Sequence, residues 1–306
     1  MALPVFFKWN YWKGTTRINK SYRNANIYLP AVPDNTIAWF TNHYHKKHNE
    51  PGESGYVVHP YLLRDPADID KELRLISSEY KRFRKPVIVF ILSDYEDLYK
   101  PYKNLILLRT SAKRSLLLSN EYVLPYVWES AQEPFPETSN TNKPVVGFCG
   151  LVSGYRQALI DMTATDSRLD CQFIRRDAFW GGKPHDEQIV AAFWENMRSS
   201  QFMIASRGAG NFSMRFYQAL SMGRIPVLVD TDMELPLSHL IDWKSLIVFE
   251  KNEADCVEKI VEIHEAGKTA DMQRACYDVY HQFLSEKNFL QRLLPSIVGT
   301  PVTQTR

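Results

Sequence analysis

The chain has 306 residues, 44% of them hydrophobic and 24% charged, with a net charge of +2. That is globular composition, enough for one large domain or two ordinary ones, and it excludes bulk disorder. Lys and Arg number 37 against 35 Asp and Glu, which leaves no basic excess of the kind a dedicated nucleic-acid binder carries.

Residues 3–7 read as a short buried strand, too short for the core of a signal peptide. No apolar run reaches the ~20 residues that would span a bilayer. A cytoplasmic protein without a transmembrane segment is expected. Residues 15–60 carry irregular turns, with Pro30, Pro33, Pro51, Gly52 and Gly55. Residues 69–83 read as a helix. Its basic end, residues 81–85, reads first as a solvated helix terminus and second as a peripheral contact with an anionic membrane surface. Residues 87–92 and 105–108 are β-rich apolar runs, as parallel strands buried on both faces show.

The polar, proline-containing stretch 130–143 is the best linker in the chain. It divides the sequence into an N-terminal domain, 1–135, and a C-terminal domain, 136–306. Beyond it strands and helices alternate: strands at 145–148, 171–174, 202–205, 225–229 and 246–249, helices at 155–164, 185–199 and 212–222, and two more helices from 253 to about 284. Alternation of this kind builds a parallel sheet covered by helices, so the fold class is α/β. The cysteines, Cys149, Cys171, Cys256 and Cys276, form no CxxC pair and no metal-like spacing, and read as free thiols.

The densest chemical signal is the run from Ser206 to Leu220, between a strand and a helix, where open α/β sheets bind ligands. Gly208 and Gly210 admit a close backbone approach. The helix start suits phosphate, and Arg207 and Arg215 add forked donors. At about 100° per residue, Phe212, Phe216, Ala219, Leu220 and Gly223 share one face, while Asn211, Arg215, Gln218 and Met222 share another that can look into a cleft. The alternative is that both arginines pair with surface acids. A second element, Gly147 to Gly150 followed by Ser153, Gly154 and Arg156, is either a phosphate loop or an ordinary strand-to-helix turn. Arg175 and Arg176 form a weaker candidate of the same kind.

The run RGAGNFSMRFYQALSMGRIPVLVDTD, followed by LP and by Ile241-Asp242-Trp243, resembles the signature of exostosin-type glycosyltransferases, glycosyltransferase family 47. The likeness is specific over 145–249 and faint before residue 130. It implies a GT-B fold: two Rossmann-like domains facing a central cleft, the second holding the nucleotide. It also implies inverting transfer of a sugar from a nucleotide-sugar, most often a UDP-sugar, to a glycan or glycolipid hydroxyl. The donor-binding set is then Gly150, Arg156, Arg207, Gly208, Gly210, Asn211, Ser213, Arg215 and Gln218. The short soluble bacterial or viral members are the nearest in type. Gln218 departs from the family, which usually has Glu there to accept from the ribose hydroxyls; an amide accepts one hydrogen bond and donates another. That departure keeps open a sugar-nucleotide-binding pseudoenzyme. Another sugar-nucleotide enzyme, an epimerase or a hydrolase, also stays open.

Inversion needs a base for the acceptor hydroxyl and positive charge for the departing diphosphate. Asp94, after the strand 87–92, is the first candidate base, Glu96 the second, and His43 or His45 the third; Asp94 is otherwise a helix N-cap. The aromatics Trp9, Tyr11, Trp12, Trp39 and Tyr44 are a sugar-stacking surface or core. Asp230-Thr231-Asp232 has the form of a metal-binding D-x-D, but it lies inside the exostosin-like run. His43, His45, His48 and His59 lack partners at a zinc spacing. No cofactor is expected, and the nucleotide-sugar is the substrate.

Overall fold

The computed structural model describes residues 27–28, 54–64, 68–126, 130–131, 135, 141–152, 154–183 and 186–297. Contacts divide the chain into two compact units. One holds the described residues up to Pro125, with Asp232–Leu237 and the described residues from Leu284 on; the other holds Tyr126–Thr231 and Ser238–Phe283.

In the first unit the strands are β1 (Ile27–Tyr28), β2 (Tyr56–Arg64), β3 (Val87–Leu92), β4 (Leu105–Arg109) and β5 (Glu121–Val123), paired in that order and all parallel. β3 and β4 read VIVFIL and LILLR and are buried nearly throughout, as strands covered on both faces must be. Helix α1 (Ile69–Tyr80) starts where the Asp68 carboxylate accepts from the Lys71 N–H at 3.0 Å. It turns Leu73, Ile76 and Tyr80 inward onto Val57, Val87, Val89 and Ile91. The helix expected to run to residue 83 tightens instead into a 3-10 turn, Lys81–Phe83, closed by Arg84 at φ 51°. The first half of strand β2, up to Pro60, falls in the stretch 15–60 that reads as irregular. Its pairing with β3 shifts register between Val58 and Leu62, around Pro60, which has no N–H for the ladder.

In the second unit the elements alternate: β6 (Val145–Leu151), α2 (Gln157–Thr165), β7 (Asp170–Arg176), α3 (Glu187–Ser199), β8 (Phe202–Ile204), α4 (Met214–Ser221), β9 (Ile225–Val229), α5 (Trp243–Leu246), β10 (Val248–Glu250), α6 (Glu253–Glu265) and α7 (Thr269–Val279). A π turn, Tyr280–Leu284, follows α7, and the chain then forms α8 (Phe289–Ile297) in the first unit. The sheet order is β10-β9-β8-β6-β7, all parallel. Order therefore reverses between β6 and β8, and the crevice beyond their carboxyl ends is where doubly wound sheets take ligands. The fold is α/β, with two Rossmann-like parallel sheets in succession, the build expected of a GT-B chain.

The described residues of the linker candidate pack onto this second unit. The Ala131 N–H donates to Ser221 Oγ at 2.8 Å, and Phe135 meets Tyr277 edge-on at 5.4 Å beneath the Arg274 guanidinium.

Candidate functional site

Two loops leave the sheet at the reversal point. The β6 loop runs through Gly150 to a 3-10 turn, Gly154–Arg156, and into α2; the β8 loop runs from residue 205 to Ser213 and into α4. Arg215, in the first turn of α4, reaches back to β6. Its Nη2 donates to the Cys149 carbonyl at 2.7 Å, and its guanidinium lies 4.6 Å above the Phe148 ring. Gly150 sits at φ 151°, and a Cβ there would run into that same Nη2. Glycine is thus required twice, by the backbone angle and by the arginine.

Arg156 joins the two loops. Its Nε donates to the Ser206 carbonyl at 3.2 Å and its Nη1 to the Leu151 carbonyl at 3.1 Å. Gly208 leaves room for it, since a Cβ would stand 3.1 Å from Arg156 Nη2. Here the close approach that glycine permits is to an arginine. Both guanidiniums bond carbonyl oxygens, and neither meets a carboxylate among the described residues. Among the described residues, Arg215 Nε and Nη1 are enclosed with no acceptor, and the Ser206 hydroxyl is enclosed with no partner. Burial pulls the Arg156 pKa down, and burial together with the Arg156 charge takes that of Arg215 down to about 9. Two crowded cations without a counter-charge among the described residues make a site that an anion stabilises.

The other expected donor residues divide. Arg207 lies 4.4 Å above the Tyr155 ring, and its Nη2 donates to the Ala209 carbonyl at 3.0 Å. Asn211 turns its amide to Thr231: Nδ2 donates to the Thr231 carbonyl at 3.1 Å and Oδ1 accepts from Thr231 Oγ1 at 2.6 Å. The side chain so anchors the loop to the end of β9. Gly210 is buried, and Ser213 caps α4 without a side-chain hydrogen bond. Gln218 is buried in α4. Its expected neighbour on a cleft-facing side, Met222, is not there; it is core, packed with Ala131, Met197, Met203 and Ala219. Arg175 pairs with Asp161 at 3.1 Å, and Arg176 Nη2 donates to the Ile189 carbonyl at 3.1 Å, so neither joins the pair at Arg215. Of the D-x-D, Asp232 takes Ser115 Oγ and the Ser115 N–H and stands 3.9 Å from Arg114. No group of three or more metal-capable side chains occurs among the described residues.

Residues 102–265 match the Exostosin GT47 domain, more than half of the chain. The chain belongs to the exostosin GT47 family. It is 26% identical over 103 residues to the Exostosin-1 homolog of Caenorhabditis elegans, a match over 33% of this chain and 27% of that protein. Among solved structures it is similar to the lipopolysaccharide outer core galactosyltransferase WaaB, with TM-score 0.45, 12% identity and coverage of 79% of this chain and 76% of that one. It is also similar to Anabaena HepE in complex with UDP-glucose, with TM-score 0.41, 10% identity and coverage of 81% and 80%.

In the first unit of this GT47 chain, Asp94 follows β3 and is exposed, and the segment after it is irregular, which removes the helix N-cap alternative. Glu96 Oε1 stands 3.6 Å from Lys113 Nζ, and that ammonium also bonds Asp97 at 2.6 Å. Sequence reasoning passed over Arg109, at the carboxyl end of β4. It is buried, pairs with buried Glu121 at 3.2 Å, and donates to the carbonyls of Ser111, Tyr95 and Asp97. Its guanidinium lies 3.9 Å above Tyr99, which stacks on Tyr95. The loop carrying Asp94 and Glu96 is therefore laced to the sheet by one arginine. The only early signal was an arginine closing an apolar strand. His43 and His45, with His48, lie outside the described residues, as do Ser153, Trp9, Tyr11, Trp12, Trp39 and Tyr44. His59 is buried between Tyr61 and Tyr80, 5.5 and 5.7 Å away ring to ring.

Proposed function

We propose that this chain transfers a sugar, with inversion, from a UDP-sugar to a glycan hydroxyl, without a divalent metal, as a GT-B enzyme. The observation that carries this reading is the Arg156–Arg215 pair: two neighbouring guanidiniums at the sheet's reversal point, bonded to carbonyls and lacking a carboxylate among the described residues. A diphosphate supplies what they lack. In the reaction the acceptor oxygen forms a bond to the anomeric carbon while its proton passes to a base. The bond from that carbon to the diphosphate breaks, and its electron pair leaves with the phosphate oxygen. Arg156 and Arg215 hold the charge that appears there, the work a metal does in other transferases. Asp94, just after β3, is the proposed base, and Glu96, beside the Lys113 ammonium, is the second candidate.

The test is calorimetry of UDP, GDP, CMP and their sugar conjugates, with magnesium and with EDTA. One nucleotide should bind, insensitively to EDTA. Arg215→Ala should weaken it about 10- to 100-fold, the worth of a charge-assisted contact. A shift that requires magnesium sinks the metal-free reading.

Gln218 favours a second reading, a protein that binds sugar nucleotide without turnover. Gln218→Glu should raise donor affinity if this position meets the ribose, and an unchanged affinity removes that role.

A further inference from the structure

Strand β7 runs beside β6 in parallel register, Gly150 opposite Arg175 and Leu151 opposite Arg176. The turn after β7 therefore leaves the sheet one strand spacing, about 5 Å, from where the loop that carries Arg156 leaves β6. This turn, Phe179–Gly182, holds two large rings in solvent: Phe179 is 61% exposed and Trp180 is 40% exposed. The neighbouring β6 loop adds Tyr155, 56% exposed. Trp180 has φ 58° and ψ 22°, a left-handed conformation that a bulky aromatic rarely adopts.

The turn is nonetheless fixed from below. The Gly181 N–H donates to the Ala178 carbonyl at 3.1 Å and the Lys183 N–H to the Trp180 carbonyl at 3.3 Å. Gly181 lies against Arg176 and Ile189, with no room for a side chain. Rings held outward on a strained but well-bonded turn make a preorganised surface, because the chain gives up core burial and an ordinary backbone angle to present them. Exposed Asp177 and Lys183 flank them. Separate apolar ring faces with a carboxylate and an ammonium beside them match a sugar ring, which offers C–H faces and hydroxyls at once. A carboxylate in the patch disfavours insertion into lipid.

We propose that Phe179 and Trp180 form a glycan subsite, a stacking platform for a sugar of the acceptor chain distant from the reacting hydroxyl. The proposal rests on the glycosyltransferase reading above.

The experiment is calorimetry of the wild type, Trp180→Gly and Phe179→Ser with neutral and uronate-containing disaccharides and hexasaccharides, with UDP titrated in parallel and with anionic phosphatidylserine vesicles as a second probe. Glycine suits φ 58°, so Trp180→Gly removes the ring without straining the turn. The wild type should bind a hexasaccharide more tightly than its disaccharide. Each variant should lose about tenfold of the hexasaccharide affinity, the scale of one aromatic contact, with UDP binding unchanged. Equal hexasaccharide affinity in wild type and variants overturns the platform. So does a wild type that binds none of the oligosaccharides, or a variant defect confined to vesicles. If UDP fails to bind any of the three proteins, the donor reading falls by itself, and the oligosaccharide comparison still decides the platform.

Discussion

Single residues decide the chemistry of the arginine pair. Gly150 combines φ 151° with direct contact by Arg215, so any side chain there strains the backbone and displaces the guanidinium. Gly150→Ala should lower stability by about 1–3 kcal/mol, the cost of a backbone region that is almost confined to glycine, and weaken nucleotide binding too. Urea unfolding beside a UDP titration separates the two effects, and a variant with wild-type UDP affinity shows that Arg215 does not depend on Gly150. The arginines and glycines were legible in the sequence as a candidate because strand, glycine-bearing loop and helix follow one another there with basic residues between them, although an ordinary turn and surface ion pairs were open alternatives. Their mutual arrangement was not legible. That Arg156 crosses to Ser206, and that Asn211 turns away to Thr231, depends on chain segments tens of residues apart.

At the scale of elements, α4 shows that helical spacing does not settle what each residue of a face meets. Periodicity put Met222 beside Gln218 on a cleft-facing side, yet from Phe216 to Ser221 every residue is buried, and Met222 after them is core. Burial there takes in polar Gln218 and Ser221 with the apolar side chains, so residue type and spacing do not tell a core side from a cleft side. Met222→Ala should destabilise by about 2–5 kcal/mol, as large-to-small core changes do, and leave UDP affinity intact, as thermal melts and calorimetry will show. Strand β2 is the companion case: its first half fell in a stretch read as irregular turns from Pro51, Gly52 and Gly55 just before it, yet it pairs with β3 through a register shift around Pro60. Its buried His59 is held neutral, its pKa lowered by burial to about 4. The unfolded chain takes up that proton below about 6.5 and the folded chain only near 4, so the stability concerned is present above pH 6.5 and is lost as pH falls from there toward 4. The loss from this residue should total ~3 kcal/mol, and His59→Gln should flatten the pH dependence of urea unfolding in that window.

Across the whole molecule, the thiols give a simple check. All four cysteines are free, and Cys149, Cys256 and Cys276 are buried. Burial raises the Cys171 thiol to about 11 and the Cys256 thiol to about 12, so little thiolate forms at neutral pH. Reductant should leave the melting temperature unchanged, and a thiol reagent should react slowly with the native protein and completely in denaturant. Fast native labelling at more than one position contradicts this burial.

The sequence by itself determined the α/β class, the alternation after residue 145, the family likeness and the cluster of arginines and glycines, because each rests on local spacing that neighbouring residues enforce. Only the tertiary structure decided that the sheet reverses order between β6 and β8, that two arginines share a place with no carboxylate beside them among the described residues, and that Arg109 laces the loop of Asp94 and Glu96. Strand order and buried ion placement depend on contacts between distant segments, and the free energy of a buried charge is set by whatever the fold brings to it.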